Sequence, residues 1–210
     1  HVRFDALDPE EISVGRWKNW GGFTRLDTWL HFPAGDHSAS DAFRDPLARE
    51  DVSIRSYKID ATASASAELR ATSHVRLEHR FAGERVLLFR LDANLRVQSV
   101  SNAQGAALPF FQPREPKDRN QSYGDYVAVV LPDAGRVGQS DDLQFAYGGK
   151  RVIRKVGSSN YFCESFGWHP ARNNSFAARA DFEINFRSPK KYTLVATGNK
   201  SAESQDGDWT

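Results

Sequence analysis

The stretch that decides the fold is ARADFEINFRSPKKYTLVATGN, which runs from Ala178 to Asn199. In its first half, apolar side chains occupy every second position, and polar or charged side chains lie between them. Because successive side chains of a strand point to opposite faces, this period of two predicts a strand with one apolar and one polar face. A proline and two lysines then supply turn chemistry, and the run from Tyr192 to Thr197 is again rich in strand-forming residues. The stretch therefore predicts a β-hairpin.

The chain before this stretch is also typical of strands, from about Ile54 onward. Short runs of strand-forming residues are bounded by Gly, Pro, Asn or Asp, and no run after residue 50 keeps the 3.6-residue apolar period of a helix. Residues 51–210 are therefore predicted to form an all-β domain, an antiparallel two-layer sandwich or saddle-shaped sheet. The predicted strands are IRSYKIDATASAS, LRATSHVRLEHRF, RVLLFRL, LRVQSVS, YVAVVL, DLQFAYGG and RVIRKV.

Residues 1–50 differ in composition from the rest. Trp17, Trp20 and Trp29 are three of the five tryptophans of the chain. Asp8 followed by a proline is a typical start for a short helix. We expect residues 1–50 to form an irregular N-terminal arm or the tail of a preceding unit.

Composition excludes several classes of protein. The chain has 210 residues, of which 40% are hydrophobic and 26% charged, as in an ordinary globular domain. A net charge of +1 gives no electrostatic signature of nucleic-acid binding. The single cysteine, Cys163, cannot form an internal disulfide and does not fix the compartment. The sequence contains no apolar run of 18 or more residues, so no transmembrane helix is predicted, and its start lacks the apolar core of a signal peptide. It contains no methionine, so we expect a piece of a longer or processed protein.

Residues that could carry chemistry do not form a catalytic or metal-binding motif. His74 and His79 are five residues apart on one predicted strand, so they lie on opposite faces and are expected to be surface histidines. Cys163 and His169 are close in sequence only, and we expect Cys163 to be a small residue that fills a strand-end position. The sequence also lacks H-E-x-x-H, G-x-S-x-G and a P-loop. We therefore predict no catalytic and no metal-binding residue in this chain.

Three features leave two interpretations open. The carboxylate of Glu164, at a predicted strand end, is either solvated or binds a substrate ammonium group. The tryptophans of the arm either anchor it or form a platform for sugars. The long polar segment from Gln112 to Asp125 is of a length that is usually functional or mobile.

The order of these patterns resembles the N-terminal β domain of M1-family zinc metallopeptidases, the membrane alanyl aminopeptidase-like enzymes. In that family, a loop with a glutamine or glutamate leads to an aromatic-proline stretch, then to a strand ending in proline, and then to a segment of the VATG kind. The resemblance covers roughly residues 54–210 and is closest to a divergent bacterial branch, which reads WYP where this chain has WHP at 168–170. The segments that carry it are YKIDATASASAELRATSHVRLEHR, RVLLFRLDANLRVQSVSNAQGAALPF, DLQFAYGGKR, NYFCESFGWHP, FEINFRSP and VATGN.

The resemblance implies a function for the parent protein. The parent would be a zinc aminopeptidase that removes N-terminal residues from peptides, and its zinc ligands would lie in a downstream catalytic domain of the same chain. This domain would form one wall of the substrate cleft, and the family's substrate-binding carboxylate or amide would correspond to Glu164. The run of acidic and arginine residues that is usual in the family is absent here. Arg172 is the only arginine in the stretch 171–174. An exported or membrane-associated parent is compatible with this resemblance.

A function of another class also fits the residues. A free-standing β-sandwich could bind carbohydrate through its tryptophans, or bind protein through the Gln112–Asp125 segment. An H-E-x-x-H motif in the reading frame beyond Thr210 would distinguish the peptidase hypothesis from this alternative.

Overall fold

The computed structural model describes residues 2–4, 12–20, 23–32, 52–112, 125–157, 160–163, 167–172 and 179–210. The chain divides into two compact units, His1–Arg49 and Glu50–Thr210. In the described residues of both units the regular structure is β throughout, and no helix there is long and apolar enough to cross a bilayer.

The first unit contains an antiparallel sheet of three strands where the sequence predicted an irregular arm. Its strand order is β1-β2-β3. Trp17 and Trp20 lie on β2 and Trp29 lies on β3, whereas Asp8 and the predicted short helix lie outside the described residues. The strands are β1 (Val2–Phe4), β2 (Ile12–Trp20) and β3 (Phe23–Phe32).

The second unit is built on a five-stranded sheet, which we call the main sheet. Its strand order is β13-β4-β5-β10-β7, and all of its neighbours are antiparallel except β13 and β4, which are parallel. A second sheet has the order β6-β9-β8, and β11 and β12 form a hairpin. The strands are β4 (Val52–Ala63), β5 (Leu69–His79), β6 (Val86–Leu91), β7 (Leu95–Asn102), β8 (Phe110–Phe111), β9 (Asp125–Val130), β10 (Ser140–Gly149), β11 (Ile153–Val156), β12 (Asn160–Cys163) and β13 (Asp181–Arg187).

The core lies between the main sheet and the second sheet. On β5 every second side chain is buried, as the period of two predicts. Phe89 of β6 meets Phe145 of β10 edge to face, with ring centroids 5.0 Å apart, and both rings are fully buried. The prediction of an all-β, antiparallel-dominated sandwich is therefore confirmed.

The predicted hairpin at Ala178–Asn199 is wrong in its second half. The run from Tyr192 to Thr197 is not a strand, and β13 pairs with β4 in parallel. Beyond β13, the backbone of Ser188 pairs with Thr210 instead. A period of two defines the faces of a strand but not its partner, which is chosen here among residues distant in sequence.

Candidate functional site

The described residues on either side of Glu164 are held by the sheets. Before it, β12 ends at Cys163, which packs partly buried against the core. After it, the Asp92 amide donates to the Gly167 carbonyl at 2.7 Å, and Arg90 and Ala171 exchange backbone hydrogen bonds of 2.6 and 2.9 Å. Glu164 itself lies outside the described residues, so its role stays a prediction.

A cluster of rings attaches the 167–172 segment to the edge of the main sheet. The ring of His169 meets Tyr57 edge to face at 4.8 Å and Phe182 at 5.5 Å, measured between centroids. Tyr57 and Phe182 stack at 4.7 Å, and Trp168 packs on His169 at 5.2 Å. We call these four residues the aromatic cluster. Because its members come from β4, β13 and the 167–172 segment, it fixes the position of that segment relative to both strands.

Burial keeps the histidine of the aromatic cluster neutral. Desolvation lowers the pKa of His169 to about 4, since a charged imidazolium would lose its hydration there. The ring Nδ1–H donates to the Pro170 carbonyl at 3.3 Å, which opposes this shift weakly. Burial also raises the pKa of the Tyr57 hydroxyl far above its usual value. The cluster is therefore uncharged near neutral pH.

A buried guanidinium lies at the end of the same segment. The Arg172 side chain is only 4% exposed, and its Nη1 donates to the Leu88 carbonyl at 3.1 Å. Its positive charge acts to lower the pKa of Tyr57, a smaller effect than burial. Nothing in the sequence around Arg172 indicates that its side chain is buried.

Cys163 lacks the electrostatic setting of a nucleophile. Burial, and then the nearby carboxylate of Asp92, raise the pKa of its thiol to about 11. A reactive cysteine requires the opposite shift. Cys163 is the last residue of β12, so its predicted strand-end position is confirmed.

The two strand histidines differ in exposure. His74 is exposed and lies on the opposite face of β5 from His79, as predicted. His79, however, is 1% exposed, and its Nε2–H donates to Asp141 at 2.9 Å, so the prediction that it is a surface residue is wrong. Within the described ranges, no three His, Cys, Asp or Glu side chains are grouped so that they could hold a metal ion.

The polar face of the main sheet forms an open depression of about 700 Å³. Residues of all five strands of the main sheet line it, together with Ser204, Asp206, Trp209 and Thr210. The guanidinium of Arg187 lies over the Trp209 ring, 5.1 Å from its centroid. The formal charges of the four charged side chains in the lining cancel: Asp60, Arg70, Arg187 and Asp206.

The structure describes only parts of two other features, the tryptophans of residues 1–50 and the long polar segment from Gln112 to Asp125. The side chains of the arm tryptophans and residues 113–124 of the long polar segment lie outside what the structure describes. At the start of that segment, the Gln112 amide accepts from the Val97 amide at 3.0 Å and donates to the Leu95 carbonyl at 2.9 Å. Gln112 therefore satisfies backbone groups at the start of β7.

Comparison with solved structures identifies the class of fold. The chain is similar to an M1 zinc metallopeptidase from Deinococcus radiodurans, with a TM-score of 0.61 and 16% identity over 78% of this chain and 38% of that chain. Structures of an E323A mutant of an M1 zinc metallopeptidase from that organism, one bound to a Tyr-Ser-Ala substrate, match equally well. Yeast LTA4 hydrolase matches with a TM-score of 0.58 and 13% identity over 76% of this chain and 26% of that chain.

The similarity is one of fold. The matched part of these proteins is the region of their N-terminal domain, and this chain spans well under half of their length. No protein-family model and no curated protein sequence matches the chain.

Proposed function

We propose that this chain is the non-catalytic N-terminal domain of a zinc aminopeptidase related to the divergent bacterial branch of the M1 family. The observation that carries the proposal is the fold match, which covers 78% of this chain but only 38% of an M1 zinc metallopeptidase. In the parent protein, the remainder of the chain would hydrolyse the N-terminal residues of peptides, and this domain would form one wall of the substrate cleft.

The anchoring of the Glu164 segment supports a role in that wall. Loops that bind ligands are commonly positioned by a rigid scaffold. Backbone hydrogen bonds at Gly167 and Ala171, together with the aromatic cluster, provide such a scaffold. In the proposal, the carboxylate of Glu164 accepts a charge-assisted hydrogen bond from the α-ammonium group of the peptide. This contact would favour peptides with a free N-terminus.

The described residues do not fit a zinc site. Because they contain no cluster of three potential ligands, the zinc ion and its ligands would lie in the remainder of the parent chain. This domain would then contribute substrate contacts and a packing surface, without a cofactor of its own.

The test uses the longer gene product and aminoacyl anilides as substrates. Glu164→Gln keeps the size of the side chain but removes its charge, so KM should rise roughly tenfold, the equivalent of one lost charge-assisted hydrogen bond. Glu183→Gln, at an exposed carboxylate on the polar face of β13, is the matched control and should leave KM unchanged. If Glu164→Gln alters neither KM nor kcat, Glu164 is not part of the site; if the longer product hydrolyses no anilide, the aminopeptidase assignment is wrong.

The depression on the main sheet favours a second candidate, a carbohydrate-binding module. Its lining is polar with cancelling charges, and Trp209 adds an aromatic surface, a combination that suits a neutral polyhydroxylated ligand. Calorimetric titration of the 210-residue chain with neutral oligosaccharides tests this candidate. Binding that is lost in both Trp209→Ala and Asp60→Ala would support it, and no binding at millimolar ligand would exclude it.

A further inference from the structure

Two segments of the second unit carry only positive charge. The first, residues 150–163, contains the β11–β12 hairpin, and the second, residues 188–199, follows β13; neither contains an Asp or a Glu. The net charge of the whole chain, +1, therefore hides a local excess of positive charge. The basic residues of the two segments are Lys150, Arg151, Arg154, Lys155, Lys190 and Lys191.

A pair of tyrosines joins the two segments. The ring of Tyr161, on β12, meets the ring of Tyr192 edge to face, with centroids 5.2 Å apart. Lys155 is the cross-strand partner of Tyr161, and the Lys191 ammonium lies over the Tyr192 ring, 5.1 Å from its centroid. These four residues lie together at the surface, and we call them the basic-aromatic cluster.

The lysines of the basic-aromatic cluster act on the same hydroxyl. A hydrogen bond with the Tyr161 hydroxyl is the main cause that lowers the pKa of Tyr192, and Lys191 and Lys155 lower it further. Since both lysines favour the phenolate anion, their positive potentials overlap at this point. Among the described residues, no carboxylate forms an ion pair with Lys155, Lys190 or Lys191. The cluster therefore attracts a negatively charged group from outside the domain.

Apolar side chains beside the basic-aromatic cluster are left in water. Phe162, next to Tyr161, is 48% exposed, and Leu194 and Val195, which follow Tyr192 closely, are 56% and 88% exposed. Large apolar side chains that are exposed together mark a surface that contacts an apolar partner or phase. Lysines, tyrosines and exposed aliphatic side chains in one place are typical of a surface that lies at a membrane interface.

We propose that the basic-aromatic cluster and the adjoining segment 189–195 dock on an anionic phospholipid surface. The ammonium groups of Lys155, Lys190 and Lys191 contact lipid phosphates. Leu194 and Val195 enter the boundary between the headgroups and the acyl chains. Each cation near the surface and each apolar side chain removed from water adds to the affinity. This inference does not depend on the proposed peptidase function.

Charge and exposure together favour a lipid surface over other partners. A nucleic acid would neutralise the lysines and could stack on the tyrosines, but it would leave Leu194 and Val195 in water. A neutral apolar partner would cover these two side chains but would desolvate the ammonium groups without an opposite charge. An anionic bilayer has phosphates and hydrocarbon at adjoining depths, so it can accept both kinds of side chain.

The experiment measures binding of the 210-residue chain to vesicles by co-sedimentation. Vesicles of phosphatidylcholine and phosphatidylglycerol in equal parts should bind the chain, and pure phosphatidylcholine vesicles should bind it at least about tenfold more weakly. Combined replacement of Lys155, Lys190 and Lys191 by Gln should weaken binding to the anionic vesicles about a hundredfold. This loss corresponds to roughly fivefold for each cation near an anionic surface.

A second triple variant controls for net charge. Arg55→Gln, Lys58→Gln and Arg76→Gln remove the same charge from exposed ion pairs of β4 and β5. Such pairs contribute little to stability, so the variant should fold normally. At physiological ionic strength it should bind the anionic vesicles as tightly as the wild type, because charges outside the contact surface are screened.

A polarity-sensitive fluorophore on a single cysteine, in a Cys163→Ser background, tests insertion of the apolar side chains. On Val195→Cys, the emission should shift to the blue and gain intensity when anionic vesicles are added. On Asp142→Cys, at an exposed position of β10, the emission should not change.

Four results would overturn the inference. Two of them are equal binding to neutral and anionic vesicles and an equal loss of binding in the two triple variants. The third is an unchanged emission at position 195 while the chain is bound to anionic vesicles. The fourth is a single-stranded oligonucleotide that binds as tightly as the vesicles and is unaffected by Leu194→Ser and Val195→Ser, which would assign the surface to a nucleic acid.

Discussion

His79 and Asp141 join β5 to β10 inside the fold through a 2.9 Å hydrogen bond from the imidazole Nε2–H to the carboxylate. Gln139 supports the pair, since its amide donates to Asp141 at 3.1 Å. The face of the His79 ring is covered by Gly135, where a Cβ would lie closer than 3.0 Å to three ring atoms. This close approach explains why a residue without a side chain occupies position 135.

Gly135→Ala should therefore destabilise the chain. The added methyl group forces the His79 ring or the 135 backbone to move, and overpacking of this kind costs about 1–3 kcal/mol. Urea unfolding followed by tryptophan fluorescence measures the loss. In a His79→Ala background the ring is absent, so the same glycine substitution should cost much less. An equal cost in both backgrounds would show that the two residues do not interact.

A buried hydrogen bond between two hydroxyls gives a second prediction. Ser73 Oγ and the Tyr147 hydroxyl lie 2.9 Å apart, and both side chains are buried on the core side of the main sheet. Tyr147→Phe and Ser73→Ala should each cost about 1–2 kcal/mol of unfolding free energy, because each leaves one buried hydroxyl without its partner. The double variant should cost less than the sum of the two single variants. Strict additivity in this cycle would rule out the bond.

How much the sequence could predict is clear at particular residues. On β5 the alternation of apolar and polar residues predicted the strand and placed His74 and His79 on opposite faces. The same alternation could have predicted the burial of His79, because it shares the parity of Val75 and Leu77, which are both buried. Its partner Asp141 could not be inferred, since 62 residues separate the two in sequence.

The errors in the stretch from Ala178 to Asn199 also concern contacts between residues that are distant in sequence. Phe182 and Ile184 were correctly assigned to one apolar face. Their side chains are nevertheless about half exposed, because burial of that face depends on how far the second sheet extends. Periodicity also gave no information on the parallel pairing with β4. For the candidate site, the resemblance indicated Glu164 alone, whereas the aromatic cluster forms only when β4, β13 and the 167–172 segment meet.

The thiol of Cys163 should react slowly with alkylating reagents in the native chain. Burial and Asp92 raise its pKa to about 11, so the thiolate fraction near pH 8 is roughly a hundredfold smaller than for an ordinary cysteine. The rate of reaction with iodoacetamide should therefore keep rising between pH 8 and pH 10 in the native chain. In urea the rate should level off near the ordinary cysteine pKa. A native profile that also levels off there would contradict the assigned environment.

The His169 imidazole should make stability fall in mildly acidic solution. Its pKa is about 4 in the folded chain and about 6.5 when unfolded, so above pH 6.5 it is neutral in both states and has no effect. Between pH 6.5 and pH 4 the unfolded state binds a proton that the folded state does not, so the free energy of unfolding decreases as pH falls. The decrease approaches about 1.4 kcal/mol per pH unit and reaches about 3 kcal/mol near pH 4.

His169→Phe separates this effect from the titration of the carboxylates, which are the same in both proteins. The phenyl ring keeps the contacts with Tyr57 and Phe182 but cannot bind a proton. Urea unfolding between pH 7 and pH 4 should therefore show a shallower loss of stability for the variant, and the difference from the wild type should grow steadily below pH 6.5. Parallel curves for the two proteins over this range would mean that the folded state accepts a proton on His169 as readily as the unfolded chain does, which is incompatible with a desolvated ring packed in the aromatic cluster.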